Sequence, residues 1–304
     1  MFNAIRAVTV TTTALALFTF RPALAQQTTQ TTPPCEACAE WNRPQAPFQI
    51  FANTYYVGPR GLSAILITSG QGHVLIDGAL PESATAIAAS VRALGFKVED
   101  IRLIVNSHVH FDHAGGIATL QRLSGAAVAA TAWSASVLTS GVVPQSDPQF
   151  GIAPLIAAVT KVRTVSDGET LRVGALAITA HETPGHTPGG TSWAWRSCAG
   201  ADCADLVYAD SLTAVSADGF LFTRSRQYPN AVADFEKSFK TLESLKCSIL
   251  LTPHPEASGL WQRVERRAAG GGAGAMIDPT ACRRYVDGAR ERLRKRLSAE
   301  TTAP

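Results

Sequence analysis

The chain has 304 residues, 46% of them apolar, with 27 basic and 24 acidic side chains and a formal net charge of +3 at pH 7. That balance excludes an intrinsically disordered chain and offers nucleic acid or an acidic membrane surface little to bind. No Ser/Pro-rich linker divides the sequence after residue 45, so a single domain with a large core is expected.

At the N-terminus Arg6, the apolar run Ala7 to Phe20 and the small-residue exit Ala23-Leu24-Ala25 have the form of a cleavable export signal, 1–25. A membrane anchor needs about 20 apolar residues; this run is shorter, is interrupted by threonines and ends at Arg21-Pro22. Cleavage before Gln26 leaves 25 basic against 24 acidic residues. A secreted, periplasmic protein without a membrane span is expected. Residues 26–40, whose first nine are polar and end in Pro33-Pro34, are expected to form a flexible leader ahead of a domain spanning 41–304.

The six cysteines, Cys35, Cys38, Cys198, Cys203, Cys247 and Cys282, all lie in the exported part, which favours disulfides over thiols. Six cysteines allow fifteen connectivities. The Cys35-x-x-Cys38 pair lacks the second such pair a metal site would need and the strand-helix setting of a redox motif.

Short β-branched and apolar runs at 48–51, 55–57, 62–68 and 73–77, separated by Asn53, Gly58–Gly61 and Ser69-Gly70, predict a strand meander. Helical spacing follows at 82–94, then a fully apolar strand at 101–106 and a helix at 114–123. Further strands are expected at 126–130, 175–180, 191–196, 205–209 and 248–252, with helices at 151–159, 230–245 and 280–297. The glycine-rich tract 269–275 lacks the strand and lysine of a phosphate loop and reads as an ordinary loop. A meander followed by alternating strands and helices predicts an α/β fold with helices on both faces of its sheets.

The strongest chemical signal is His108-Val-His110-Phe-Asp112-His113, directly after the apolar strand. Imidazole and carboxylate suit zinc, and a turn can aim His108 and His110 at one metal while Asp112 and His113 face another. Two more histidines stand in loops stiffened by proline and opened by glycine: His186 in Thr183-Pro-Gly-His-Thr-Pro-Gly-Gly190, and His254 in Thr252-Pro-His-Pro255. They complete two sets of three: His108, His110 and His186; Asp112, His113 and His254. Three ligands per ion leave positions open for water and substrate. His73 and His181 lack such settings and read as structural. No S-x-x-K or G-x-S-x-G occurs, which excludes two serine-hydrolase routes.

The H-x-H-x-D-H turn with its two later histidines resembles the metallo-β-lactamase fold superfamily over residues 41–285. Trp41-Asn-Arg-Pro, Gly72-His-Val-Leu-Ile-Asp77-Gly and Tyr208-Ala-Asp-Ser211-Leu narrow the resemblance to the third subclass of metallo-β-lactamases. That resemblance implies an αββα sandwich of two mixed sheets, two Zn2+ ions, and opening of the β-lactam amide of antibiotics by zinc-held hydroxide, with Asp112 orienting the nucleophile. Ser211 stands where other metallo-β-lactamases carry a zinc-binding cysteine, so His113 takes that role. The resemblance further implies that Ser211 and Thr213 receive the substrate carboxylate and that Phe220 and the 147–156 loop wall the cleft. Asp77 is expected to orient a liganding histidine. Asp210 stands where the rival glyoxalase II-like thioesterases and lactonases of this fold place a metal-bridging aspartate. Sequence proximity and the resemblance together favour Cys198–Cys203 and Cys247–Cys282, leaving Cys35 and Cys38. The expected partner is a small-molecule substrate acted on by a monomer.

Overall fold

The computed structural model describes residues 1–2 and 35–302, so the export signal beyond its first two residues and the leader up to 34 lie outside the described residues. Twelve strands are found there. β1 (Phe48–Phe51), β2 (Thr54–Tyr56), β3 (Ile65–Ile67) and β4 (His73–Ile76) form an antiparallel meander; β5 (Ile101–Val105), β6 (Ala127–Thr131) and β7 (Val162–Val165) extend it in parallel to seven strands. β8 (Thr170–Val173), β9 (Leu176–Glu182), β10 (Thr191–Ala199) and β11 (Asp202–Tyr208) are antiparallel neighbours, and β12 (Ile249–Leu251) pairs in parallel with β11. Helices α1 (Cys38–Trp41), α2 (Ser83–Ala93), α3 (Phe111–Ala114), α4 (Ile117–Ser124) and α5 (Ala132–Ser140) precede β7, while α6 (Ala231–Ser244), α7 (Leu260–Arg266) and α8 (Ala281–Thr302) follow β11.

The period-two alternation of the strands builds the layers. Ile65, Ile67, Val74, Ile76, Leu103 and Val105 pack in a core shared with Ile178, Trp193, Leu206, Tyr208, Ile249 and Leu251, which joins the two sheets. The intervening Leu66, Leu75 and Ile104 pack instead with Ile87, Val91, Leu120 and Leu138 of α2, α4 and α5. On the second sheet Val207 and Leu250 meet Phe235, Phe239 and Leu242 of α6 and Val286, Ala289 and Leu293 of α8. Strands apolar on both faces must be covered on both, and the αββα sandwich is the result.

α2 buries Ala84, Ile87, Ala88 and Val91, the i, i+3, i+4, i+7 stripe of an amphipathic helix. α4 stops at Gly125, whose φ of 73° supplies the left-handed cap. Three disulfides close: Cys35–Cys38 across the turn into α1, Cys198–Cys203 between opposed positions of β10 and β11, and Cys247–Cys282 between the approach to β12 and the first turn of α8.

Several expectations are corrected. Residues 151–159 are not helical. Pro154 withholds a donor, and the backbone turns instead to α5, where Ile156 N donates to Gly141 O and Val159 N to Leu138 O. The strands β7 and β8 and the helices α5 and α7 were not expected. β7 and β8 are four-residue edge strands with mostly unburied side chains; β8 alternates, with Leu171 and Val173 on the core, but over too few residues to stand out in the sequence. α1 begins before residue 41, inside the segment expected to be leader. The tract 269–275 holds short irregular helical turns, with Gly270 at φ 98° and Gly272 at φ 57°.

Candidate metal centre

All the candidate donors stand on segments that leave the ends of β5, β9 and β12, at one edge of the sandwich. Strand pairing explains the convergence: the end of β9 lies beside the start of β10 (Glu182 opposite Thr191), which lies beside the end of β11 (Trp193 opposite Tyr208), itself parallel to β12. Thr191 N donates to Ser107 O and ties this edge to the turn after β5.

That turn is braced by Asp77, fully buried at φ 60°. Its carboxylate accepts from Ser107 N at 2.7 Å, Ser107 Oγ at 2.6 Å, Asn106 Nδ2 at 3.1 Å and Tyr208 OH at 2.8 Å. Asp77 thus makes no hydrogen bond to a histidine ring, contrary to expectation; four nearer donors saturate its oxygens, and it holds the backbone that carries His108. Gly78 N donates to His113 O, fixing α3 against the same corner.

His108, His110 and His186 bring one ring nitrogen each to within 4.8 Å of one another, and so do His108 and His113 with an Asp112 oxygen. The outward nitrogens are occupied. His108 Nδ1 is 2.7 Å from Asp210 Oδ1, His110 Nε2 is 3.1 Å from Asp147 Oδ1, and His186 Nδ1 donates to Thr213 O at 2.7 Å. His108 Nε2, buried without a partner, is left facing the cluster. Asp112 Oδ2 lies 3.1 Å from His113 Nε2 and 3.3 Å from His254 Nε2, so His254 joins the second group through that carboxylate.

Electrostatics favour the ligating forms. Burial, then the neighbouring His113, His186 and His110, holds the His108 imidazole well below its ordinary pKa. Burial and His110 press His186 down to about 3. Burial opposes ionisation of Asp112, yet His113 and His254 outweigh it and keep the carboxyl well below its usual range. At His110 burial is outweighed by Asp147, which raises the imidazole. Neutral imidazoles at His108 and His186, an anionic Asp112 and an orphaned buried nitrogen are what a divalent cation requires, whereas His110, raised by Asp147, must give up its proton to bind one. The donor set fits a borderline metal such as zinc.

The donors open into a cavity of about 470 Å³ also lined by Trp41, Gln149, Ser211, Thr213, Tyr285 and Arg292. Ser211 and Thr213 are therefore at its wall. Phe220 is not: its ring packs 5.1 Å from that of buried Phe222, and it faces a separate depression with Pro148 and Phe150. Of the 147–156 loop, Gln149 lines the cavity and Asp147 supports His110 from behind. His73 accepts a 3.4 Å bond from Ser69 N, and His181 sits half-buried in β9; neither joins the cluster.

Sequence reasoning missed Asp147, Gln149, Tyr285 and Arg292. Asp147 accepts from Gln149 N in a Ser-Asp-Pro turn and carries no signal of its partner, 37 residues away. Tyr285 OH donates to Asp210 O at 2.8 Å and accepts from Leu212 N at 3.2 Å, bracing the loop after β11 that bears Ser211.

An αββα sandwich with adjoining histidine and aspartate clusters where its strands end is the framework of a metallohydrolase. The chain belongs to the metallo-beta-lactamase superfamily, whose family profile matches residues 57–254. Among solved structures it is similar to the Rm3 metallo-beta-lactamase, at TM-score 0.87 and 56% identity over 89% of this chain and 100% of that one. It is also similar to MEM-A1, a subclass B3 metallo-beta-lactamase from a soil metagenome library, at TM-score 0.84 and 54% identity over 86% and 98%. A more distant likeness is to the hydroxyacylglutathione hydrolase of Anaeromyxobacter dehalogenans, 30% identical over 131 residues, 43% of this chain and 41% of that protein. The chain spans less than half the length of the curated relatives it matches.

Proposed function

We propose that this protein is a zinc-dependent β-lactam hydrolase. His108, His110 and His186 would hold one zinc, and Asp112, His113 and His254 a second. When bound, the two ions lower the pKa of water and polarise a carbonyl.

The chain's own groups supply the rest. Asp112, anionic between two imidazoles, orients the attacking water and draws on its proton. Ser211 and Thr213 offer hydroxyls to the substrate carboxylate from the cavity wall. Water adds to the strained carbonyl carbon, the ring C–N bond breaks, and the nitrogen takes a proton. No side chain need form a covalent bond. Asp210 and Asp147 act from behind, holding His108 and His110 in the tautomers that leave His108 Nε2 and His110 Nδ1, the latter 3.4 Å from Gln149 Nε2, as acceptors.

The observation that carries this reading over a thioesterase or lactonase is the engagement of Asp210. Its Oδ1 is held by the His108 ring, on the far side from His108 Nε2, and Asp210 belongs to neither group of converging donors. Likeness to B3 metallo-beta-lactamases over most of the chain supports the same choice.

An export signal pattern and three disulfides support a periplasmic or secreted location. Among the described residues no helix is long and apolar enough to cross a membrane.

The test is hydrolysis of a carbapenem and a penicillin by residues 26–304, with and without a chelator, beside a lactone and a glutathione thioester. Chelator-sensitive β-lactam turnover is expected. Turnover of only the lactone or thioester would overturn the substrate assignment and keep the metals.

A further inference from the structure

His254 is supported differently from the other histidines of the cluster. Asp210, Asp147 and the Thr213 carbonyl hold the outer nitrogens of His108, His110 and His186. His113 is enclosed in α3, its side chain 1% exposed. The His254 side chain is 35% exposed. Its backbone is fixed, since His254 O accepts from Thr252 Oγ1 at 2.6 Å and from Ala257 N at 3.0 Å. Among the described residues, however, no hydrogen bond reaches its Nδ1. The ring is met on the cluster side by the His113 imidazole, with centroids 4.8 Å apart, and outside the cluster by the indole of Trp41, with centroids 5.2 Å apart and planes at 57°.

Trp41 is itself anchored from elsewhere. Gly61 N donates to Trp41 O at 2.9 Å, and a Cβ at Gly61 would stand 2.6 Å from Trp41 Cα, so only glycine permits this approach. Arg60 N donates to Arg43 O at 2.8 Å, and Ser83 Oγ to Asn42 Oδ1 at 2.7 Å. The indole also packs on the outer core of the first sheet. The segment before β1 is thus fastened to the β2–β3 loop and α2, and from there it presents an aromatic face to a loop some 200 residues later.

A ring with two χ angles and one exposed side, held at Nε2 by the 3.3 Å contact to Asp112 Oδ2 but without a partner on Nδ1, can still tilt about that contact unless packing selects one orientation. We infer that Trp41 is a positioning residue for the second metal: its indole fixes the His254 imidazole in the orientation that joins Asp112 and His113. The inference rests on His254 serving that metal, as proposed above.

The experiment is metal titration of the full mature chain with zinc and, for its ligand-field spectrum, cobalt, comparing wild type with Trp41→Ala, Trp41→Phe and His254→Ala. Loss of a neighbour that orients a ligand costs 10- to 100-fold in metal affinity. Trp41→Ala is therefore expected to weaken the second ion about tenfold or more and alter its cobalt spectrum, with first-ion affinity and circular dichroism unchanged. Trp41→Phe, which keeps an aromatic face, should recover most of the loss. If His254→Ala still binds two ions, the assignment of His254 is wrong. If His254→Ala loses the second ion while Trp41→Ala keeps it with an unaltered spectrum, the role of Trp41 is overturned alone. Equal loss of both ions in Trp41→Ala would also overturn it, because the effect would then be general loosening.

Discussion

Asp210 Oδ1 lies 2.7 Å from His108 Nδ1, and both side chains are buried to within 1% exposure. Burial pushes the Asp210 carboxyl well above its ordinary pKa, and the donors around it, Ser211 N first, offset this only partly. One oxygen of the aspartate that could have bridged two metals is held by an imidazole, while Oδ2 is buried without a hydrogen-bond partner among the described residues. Asp210→Asn keeps the shape but exchanges the carboxyl that holds His108 Nδ1 for an amide, whose NH2 group can take the place of one acceptor oxygen. Affinity for the ion on His108, His110 and His186 should fall about 10-fold, with the second ion little affected. Chelator competition followed ion by ion checks this; loss of both ions together would mean that Asp210 bridges them.

The same carboxylate explains a glycine. A Cβ at Gly190 would stand 2.4 Å from Asp210 Oδ2 and 2.5 Å from Thr183 O, and the second of these is backbone that cannot move aside. Gly190→Ala must displace either the 183–190 loop that bears His186 or the Asp210 side chain. Overpacking of this kind costs about 1–3 kcal/mol. A drop in melting temperature of several degrees is expected, together with weaker binding of the first metal. A melting temperature and metal affinity equal to wild type would refute the packing argument.

How much of this was legible in the sequence follows from where the information lies. The donors sit in compact strings, 108–113, 183–190 and 252–255, where residue type and the Pro and Gly neighbours state the chemistry locally. The two-faced strands around Leu66, Leu75 and Ile104 announce a covered sheet. Asp147 and Tyr285 are ordinary residues made functional by partners far along the chain. Residues 151–159 misled because Ile152 and Leu155 are apolar yet exposed, so their spacing reports no buried face. Phe220 misled because proximity in sequence to the cleft says nothing of which way a ring packs once Phe222 offers an aromatic neighbour.

His254 and Ser211 separate metal from substrate. His254 Nε2 is 3.3 Å from Asp112 Oδ2 and belongs with the metal donors, whereas Ser211 lines the cavity without a cluster contact. His254→Ala should bind one ion in place of two and lose most of its turnover. Ser211→Ala should keep both ions and raise KM several-fold with little change in kcat, since a lost contact to an unreacting carboxylate is felt on binding. Steady-state kinetics with metal analysis checks both, and a Ser211→Ala enzyme that loses metal would place the hydroxyl on an ion.

Helix α8 fastens the 216–223 segment, which borders the separate depression beside Pro148, through one carboxylate. Glu300, its side chain 3% exposed, accepts from Phe222 N at 3.0 Å, Thr223 N at 2.9 Å and Thr223 Oγ1 at 2.9 Å, and from Arg296 Nε at 2.8 Å. Arg296 in turn donates to Ser216 Oγ and Phe220 O, and Ala217 N reaches Pro148 O beside Asp147. Burial raises the Glu300 carboxyl, but Arg296 and the Phe222 and Thr223 donors outweigh it and hold the pKa below the ordinary glutamate value. A group depressed on folding stabilises the protein fully above its unfolded pKa, about 4.3, and loses that contribution as pH falls through the lower folded value. Glu300→Gln should therefore melt about 2–4 °C below wild type at pH 7. The gap should persist down to about pH 5 and narrow as the medium is acidified further. Melting curves of the two proteins from pH 7 to pH 3 decide it: a gap that widens on acidification would show that Glu300 is not held as the anion.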